Sequence, residues 1–155
     1  MWNEFSIVRD FNAPRKSVWQ AWTNPLNVKK WWWPESYTAP YISMDVQVWW
    51  RFLYCMRSPE WVDYWSTGTY NEIIDNEKLV YEDAFADEKW NIVSATYYDM
   101  PDDYPAETII TVRLRDNWDD KTQLILTHEW IPDSMHDNTI LSWNSSFDKL
   151  ERSLK

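Results

Sequence analysis

The last twenty residues restrict the fold more than any other stretch. Ile140, Trp143, Phe147, Leu150 and Leu154 recur at steps of three and four, which puts them on one face of a long helix. Such a stripe has to be covered by other apolar surface. Pro132-Asp133-Ser134 leads into it, and Ser134 followed by Asp137 resembles a capping box with Asp in place of Glu. The patterns upstream are mostly those of strands, expected over 4–11, 41–48, 51–57, 67–74, 79–85, 108–115 and 122–130. Alternation is clearest where Ile110, Val112 and Leu114 share one face, and where Leu124, Leu126 and His128 do. Two short helices interrupt the strands once. Asn12-Ala13-Pro14 starts the first, with Pro14 at the first helical position and Val18 and Trp22 on one face. Asn24 caps the second, which runs through Leu26 and Val28 towards Trp31. Strands, one helical interruption and a final long helix indicate an α+β domain in which the sheet covers the helix.

Length and charge narrow the function. The 155 residues suit one domain spanning 1–155, long enough to build a core without disulfides or metal. Cys55 is the only cysteine, which excludes a disulfide framework and a multi-cysteine metal site. Its strand parity, opposite Phe52, Tyr54 and Met56, points it outward as an inert thiol. A net charge of −10 repels phosphate backbones, so nucleic-acid binding is not expected. Asp87-Glu88, Asp102-Asp103 and Asp119-Asp120 read as solvated loops, and none has calcium-loop spacing. Met1-Trp2-Asn3-Glu4 shows no basic stretch followed by an apolar run, and no segment approaches the ~20 apolar residues of a membrane span. A cytoplasmic location without membrane insertion is expected. The polar, aromatic stretch 87–106 reads as a long loop of the kind that forms lids and rims.

An ordered set of segments adds to this reading. Phe11-Asn12-Ala13-Pro14 leads into Val18-Trp19-Gln20-Ala21-Trp22-Thr23-Asn24-Pro25, then Lys30-Trp31-Trp32-Trp33-Pro34. Glu82-Asp83-Ala84-Phe85-Ala86-Asp87, Tyr104-Pro105-Ala106-Glu107-Thr108, Leu126-Thr127-His128-Glu129 and Trp143-Asn144-Ser145-Ser146-Phe147-Asp148-Lys149-Leu150 follow in order. Together they resemble the START-like SRPBCC superfamily, and within it the group named after the activator of the heat-shock protein 90 ATPase. The resemblance implies a helix-grip (Bet v-like) fold, in which a curved antiparallel sheet surrounds a long C-terminal helix. It also implies, for much of the superfamily, a hydrophobic ligand cavity. It implies no general catalytic residues; no cofactor or metal is expected either.

The chain departs from that pattern in one respect. It has fourteen Trp and one Gly, Gly68, where about 11 Gly would be usual. Trp33, Trp49 and Trp50 stand where the family pattern has glycine, as do Trp61, Trp90 and Trp118 by local context. Trp2, Trp65 and Trp130 are further candidates. Asn117-Trp118-Asp119-Asp120, for example, reads as a hairpin turn in which Gly should follow Asn. The reading is that tryptophan replaces glycine at these positions, through engineering or an error in the sequence as written. Trp19, Trp22, Trp31, Trp32 and Trp143 fit the family as they stand, as core or cavity residues.

Expected cavity-lining residues are Trp31, Phe52, Tyr54, Tyr70, Tyr81, Asp83, Tyr97, Tyr98, His128, Trp143 and Phe147. Most are aromatic, and Asp83 and His128 add polar anchors of the kind small-ligand pockets use. If the face of Asp83 is inward, burial would raise its pKa. His136, at the start of the last helix, is expected to be exposed. Three functions remain open: non-enzymatic binding of a small hydrophobic or aromatic ligand, docking on a chaperone, and a cyclase- or aromatase-type reaction using Asp83 and His128. The oligomeric state is not encoded in any pattern of the sequence.

Overall fold

A computed structural model describes residues 2–154, with Trp2 described as backbone only. Seven strands form one antiparallel sheet: β1 (Trp2–Phe11), β2 (Thr38–Ser43), β3 (Arg51–Arg57), β4 (Asp63–Ile74), β5 (Lys78–Ala86), β6 (Thr108–Asp116) and β7 (Thr122–Pro132). Their spatial order is β1-β7-β6-β5-β4-β3-β2. Between β1 and β2 lie α1 (Arg15–Thr23) and α2 (Pro25–Trp31), and α3 (His136–Ser153) ends the fold. This is the helix-grip arrangement: a curved sheet with its concave face against a long C-terminal helix.

Strand register builds that concave face. Phe52, Gly68, Asp83 and Thr108 stand side by side across β3, β4, β5 and β6. The next row toward the core is Tyr70, Tyr81, Ile110, His128 and Phe5, running from β4 to β1. At Gly68 neighbouring strands leave no room for a side chain. A Cβ there would lie 1.7 Å from the Glu82 carbonyl oxygen and 2.5 Å from the Phe52 ring. The glycine therefore lets the Phe52 ring lie flat over β4.

Trp143, Phe147 and Leu150 of α3 are buried, with Ile140 and Leu154 packed at the margin. Trp22, Trp31, Trp32, Trp143 and Phe147 form a continuous aromatic cluster with centroid spacings of 4.7–6.3 Å. Rings in such offset and edge-to-face contacts add to the apolar burial. The Trp31 indole N–H donates to the Ala21 carbonyl (2.8 Å), tying α2 to α1.

Several boundaries differ from the sequence expectations. Asn24 caps α2 as expected, accepting from the Leu26 N–H (3.0 Å). Pro14 is the N-cap of α1 rather than its first residue, with extended backbone (φ −67°, ψ 154°) and its carbonyl accepting from Ser17 and Val18. No capping box starts α3. Asp133–Met135 forms a 3₁₀ turn, α3 begins at His136, and Met135 supplies no side-chain cap. Asp137 still lies in the first turn, where a carboxylate favours the helix dipole. His136 is half-buried with its ring against Phe5 (5.5 Å) rather than exposed. The second strand stops at Ser43, because a turn closed by the Trp50 N–H on the Gln47 carbonyl (3.0 Å) follows it. Cys55 does lie on the outer face, between Tyr41 and Trp65 in the register, but it is buried there. Burial pushes its thiol up to about 11.

Ten non-glycine residues have left-handed backbone among those described, and five of them are tryptophans: Trp49 (φ 72°), Trp61 (65°), Trp90 (72°), Trp118 (49°) and Trp130 (70°). The others are Ser36, Asn76, Asp99, Asp119 and Asp120, mostly the types that tolerate this region. Each of the five sits in a turn or bulge. Trp61 closes a turn on Ser58, Trp90 one on Asp87, and Trp118 accepts from Lys121. Trp130 lies where the β1–β7 register shifts between Asn3 and Phe5, the place for glycine in a β-bulge. Trp33, Trp50 and Trp65 are not left-handed.

Candidate functional site

A cavity of about 230 Å³ opens between the concave sheet and the N-terminal half of α3. Trp32, Trp33 and Pro34 form one wall, Met56 and Asp83 the floor, Tyr104 and His128 the sides, and Trp143 with Ser142 and Ser146 the roof. An outer cavity of about 330 Å³ continues from it, lined by Tyr37, Tyr64, Phe85, Tyr98, Met100 and Met135 among others. Met56, Tyr104, Thr139 and Ser142 border both. The two form an inner chamber and a vestibule.

α3 holds the wall opposite the sheet in place. Ser146 Oγ donates to the Trp32 carbonyl (3.1 Å), Lys149 Nζ donates to the Trp33 carbonyl (2.9 Å), and the Glu35 N–H donates to Ser145 Oγ (2.9 Å). Arg152 pairs with Glu35 at the surface. On the other side, loop 87–106 is fastened by Tyr98, whose hydroxyl donates to the Ala86 carbonyl (2.5 Å) and accepts from the Trp65 N–H (3.1 Å). Tyr104 then packs on Phe85 (5.4 Å) at the boundary between the chambers.

The polar groups inside are few. The Trp143 indole donates to His128 Nδ1 (3.1 Å), so the imidazole proton resides on Nε2 and is donated to Thr108 Oγ1 (2.9 Å). Burial pushes His128 down to about 3, and it stays a neutral ring with both nitrogens engaged. Asp83 is different. Burial pushes its carboxyl up to about 7, opposed only by the Ala84 N–H. No cation neighbours it among the described residues that line the chamber, so the acid form is favoured below that pH.

The structure separates the expected cavity residues into three groups. Asp83, His128 and Trp143 border the inner chamber, and Tyr98 borders the vestibule. Trp31, Phe52, Tyr54, Tyr70, Tyr81 and Phe147 are packed core beneath it. Tyr97 is 61% exposed and lines only a polar recess with Asp63, Asp87 and Lys89. The expectation that the whole aromatic set shares one hollow space meets a different geometry. Phe52 stacks on Tyr54 at 4.6 Å, and Tyr54 and Tyr70 bring their hydroxyls to 3.4 Å, so those rings fill one another's space. Trp33, Pro34, Met56, Tyr104, Thr139 and Ser142 were not singled out as lining. Tyr104 could have been found, because it opens one of the segments that carry the resemblance.

The family model described as Activator of Hsp90 ATPase homolog 1-like protein matches residues 12–155. No curated protein matches the chain. Among solved structures, a Chromobacterium violaceum protein superposes with a TM-score of 0.81 at 23% identity, covering 98% of this chain and 96% of that one. A protein from Arthrobacter aurescens gives 0.81 at 22%, covering 97% and 85%. The AHSA1 protein of Silicibacter pomeroyi gives 0.80 at 18%, covering 97% and 96%. At these identities the structural likeness establishes the fold, and the family match, which spans both walls of the chamber, establishes the lineage: the chain belongs to the Activator of Hsp90 ATPase homolog 1-like family.

Proposed function

We propose that the protein binds a small hydrophobic or aromatic molecule in the chamber between the sheet and α3, without transforming it. The observation that supports this reading most strongly is the space itself. The interior is otherwise packed with large rings, yet a 230 Å³ chamber remains under Trp143 and continues into a vestibule. Its walls are mainly apolar with isolated polar anchors, which is the usual make-up of a ligand site. An acid–base reaction through Asp83 and His128 finds no support, because both nitrogens of His128 are engaged within the fold. Native mass spectrometry of the purified protein tests the reading. A retained molecule that leaves on denaturation is expected. An apo mass, with no stabilisation by any member of an aromatic compound library, would count against it.

The family description supports a second reading, docking on a chaperone. It predicts that the protein stimulates the ATPase of heat-shock protein 90 and that small ligands leave this effect unchanged. An ATPase assay with and without the protein separates the two. In either case the protein is proposed to act as one domain in the cytoplasm, without nucleic acid.

A further inference from the structure

Asp83 is the one carboxyl on the wall of the inner chamber. It stands in the row Phe52–Gly68–Asp83–Thr108, beside a glycine whose place over the sheet is taken by the Phe52 ring. Several other polar groups on that wall are already occupied, although the Trp33 indole N–H is buried without a partner. His128 is held by Thr108 and Trp143, Ser146 donates to Trp32, and Thr139 donates to the Met135 carbonyl (2.7 Å). The titratable groups acting on Asp83 from neighbouring strands and the loop are the hydroxyls of Tyr54, Tyr81 and Tyr104. All are raised by burial and neutral, as is the His128 ring. An uncharged carboxyl has an O–H to donate, and Asp83 is half-buried at the chamber wall.

We propose that the chamber selects uncharged molecules carrying an acceptor oxygen, a ketone or amide carbonyl, which Asp83 engages as hydrogen-bond donor. The proposal rests on the cavity-binding reading above. A carboxylate ligand is disfavoured, because its own charge would leave water for a chamber wall that carries no cation.

Calorimetric titration with three probes tests it: acetophenone, its acceptor-free isostere isopropylbenzene, and benzoate. At pH 5.5 acetophenone should bind about 2- to 10-fold tighter than isopropylbenzene, the worth of one net hydrogen bond. That preference should vanish at pH 8.5, where Asp83 is ionised. It should vanish at both pH values in Asp83→Leu. Asp83→Asn, whose amide still donates, should keep it at both. Equal binding of the two probes at pH 5.5 overturns the donor role, and benzoate binding as tightly as acetophenone overturns the selection of uncharged ligands; both leave the cavity reading intact. Binding of none of the probes removes the cavity reading and the donor role with it.

A separate observation carries a second inference. Trp49, Trp61 and Trp118 are left-handed and 73%, 76% and 86% exposed. Trp90 and Trp130 share the conformation at turn or bulge positions. Indole is thus placed where its bulk fills no core, on backbone that only glycine adopts cheaply. By contrast Trp19, Trp22, Trp31 and Trp143 have ordinary backbone and are buried. We infer that the five left-handed positions are translated as glycine in the cell of origin, from a codon that some genetic codes read as tryptophan and others as glycine. The gene should then carry UGA at these five positions and UGG at the four buried ones. The native protein should also be lighter than the written chain by the matching number of indolylmethyl-for-hydrogen differences. UGG throughout, with a native mass equal to the written chain, overturns this.

Discussion

At single residues the backbone and side chains make opposite demands in two places. The left-handed tryptophans put bulky side chains where a Cβ is unwelcome, at roughly 1–2 kcal/mol each. Five of them approach the 5–15 kcal/mol total of an ordinary domain. Trp118→Gly should therefore raise stability by about 1 kcal/mol in urea unfolding, because Trp118 is 86% exposed and gives up little packing. Trp61→Gly should gain less, since Arg57 lies 4.7 Å over that ring and the cation–π contact is lost. Gly68 shows the reverse. Its backbone is not left-handed, yet a Cβ would meet the Glu82 carbonyl oxygen. Gly68→Ala should cost more than 2 kcal/mol by the same measurement, as overpacking against backbone cannot relax through a side-chain rotamer. The turn positions were legible in the sequence because glycine at a turn follows from local chemistry. The need for glycine at Gly68 was not, because it comes from strands β3 and β5 pressing on β4.

Among the elements, α3 carries most of the argument. Its stripe was legible, since a 3.6-residue period survives any tertiary context. Phe147→Ala should destabilise the fold by about 3–5 kcal/mol, for Phe147 is fully buried among Phe11, Trp22, Trp31 and Trp143. Leu141→Ala on the same helix, 67% exposed, should change stability by less than about 0.5 kcal/mol. Equal losses in thermal or urea unfolding would contradict the orientation of α3. The start of α3 was misread because Ser134 is drawn into a 3₁₀ turn. Its hydroxyl then no longer sits beneath the first helical N–H groups. The end of β2 was misread for a similar reason: apolar residues beyond Ser43 pack from a turn without joining the ladder.

Across the whole molecule, two groups bordering one chamber, buried His128 and half-buried Asp83, change protonation in opposite senses on folding. Unfolded Asp83 would lose its proton near pH 4, while the folded carboxyl keeps it to about 7. Its contribution is full at low pH and is lost as pH rises across that window. Unfolded His128 would take a proton below about pH 6.5, while the folded ring declines it until about 3. Its contribution is full above that range and is lost as pH falls. Between about pH 4 and 6.5 the slopes oppose, and the pair adds no net pH dependence. Relative to the parent protein, Asp83→Asn should therefore lose stability on acidification from pH 6.5 to 4.5. His128→Gln should lose it as pH rises over the same interval. Urea unfolding at several pH values reads both, and parallel curves for all three proteins would show that neither group is held neutral. The sequence by itself determined the element order, the helix-grip fold and the apolar stripe of α3, because periodicity, turn chemistry and ordered family segments are local properties. It also offered Asp83, His128 and Trp143 among the candidates for lining a cavity. Only the tertiary structure decided which inward residues border open space. Phe52, Tyr54, Tyr70 and Tyr81 share the concave face with Asp83, but their rings fill one another's volume. Met56, Tyr104 and the Trp32–Pro34 wall meet across the chamber from distant parts of the chain. Parity assigns a side chain to a face of the sheet, and whether that face is filled or hollow depends on the volumes of all the side chains packed over it.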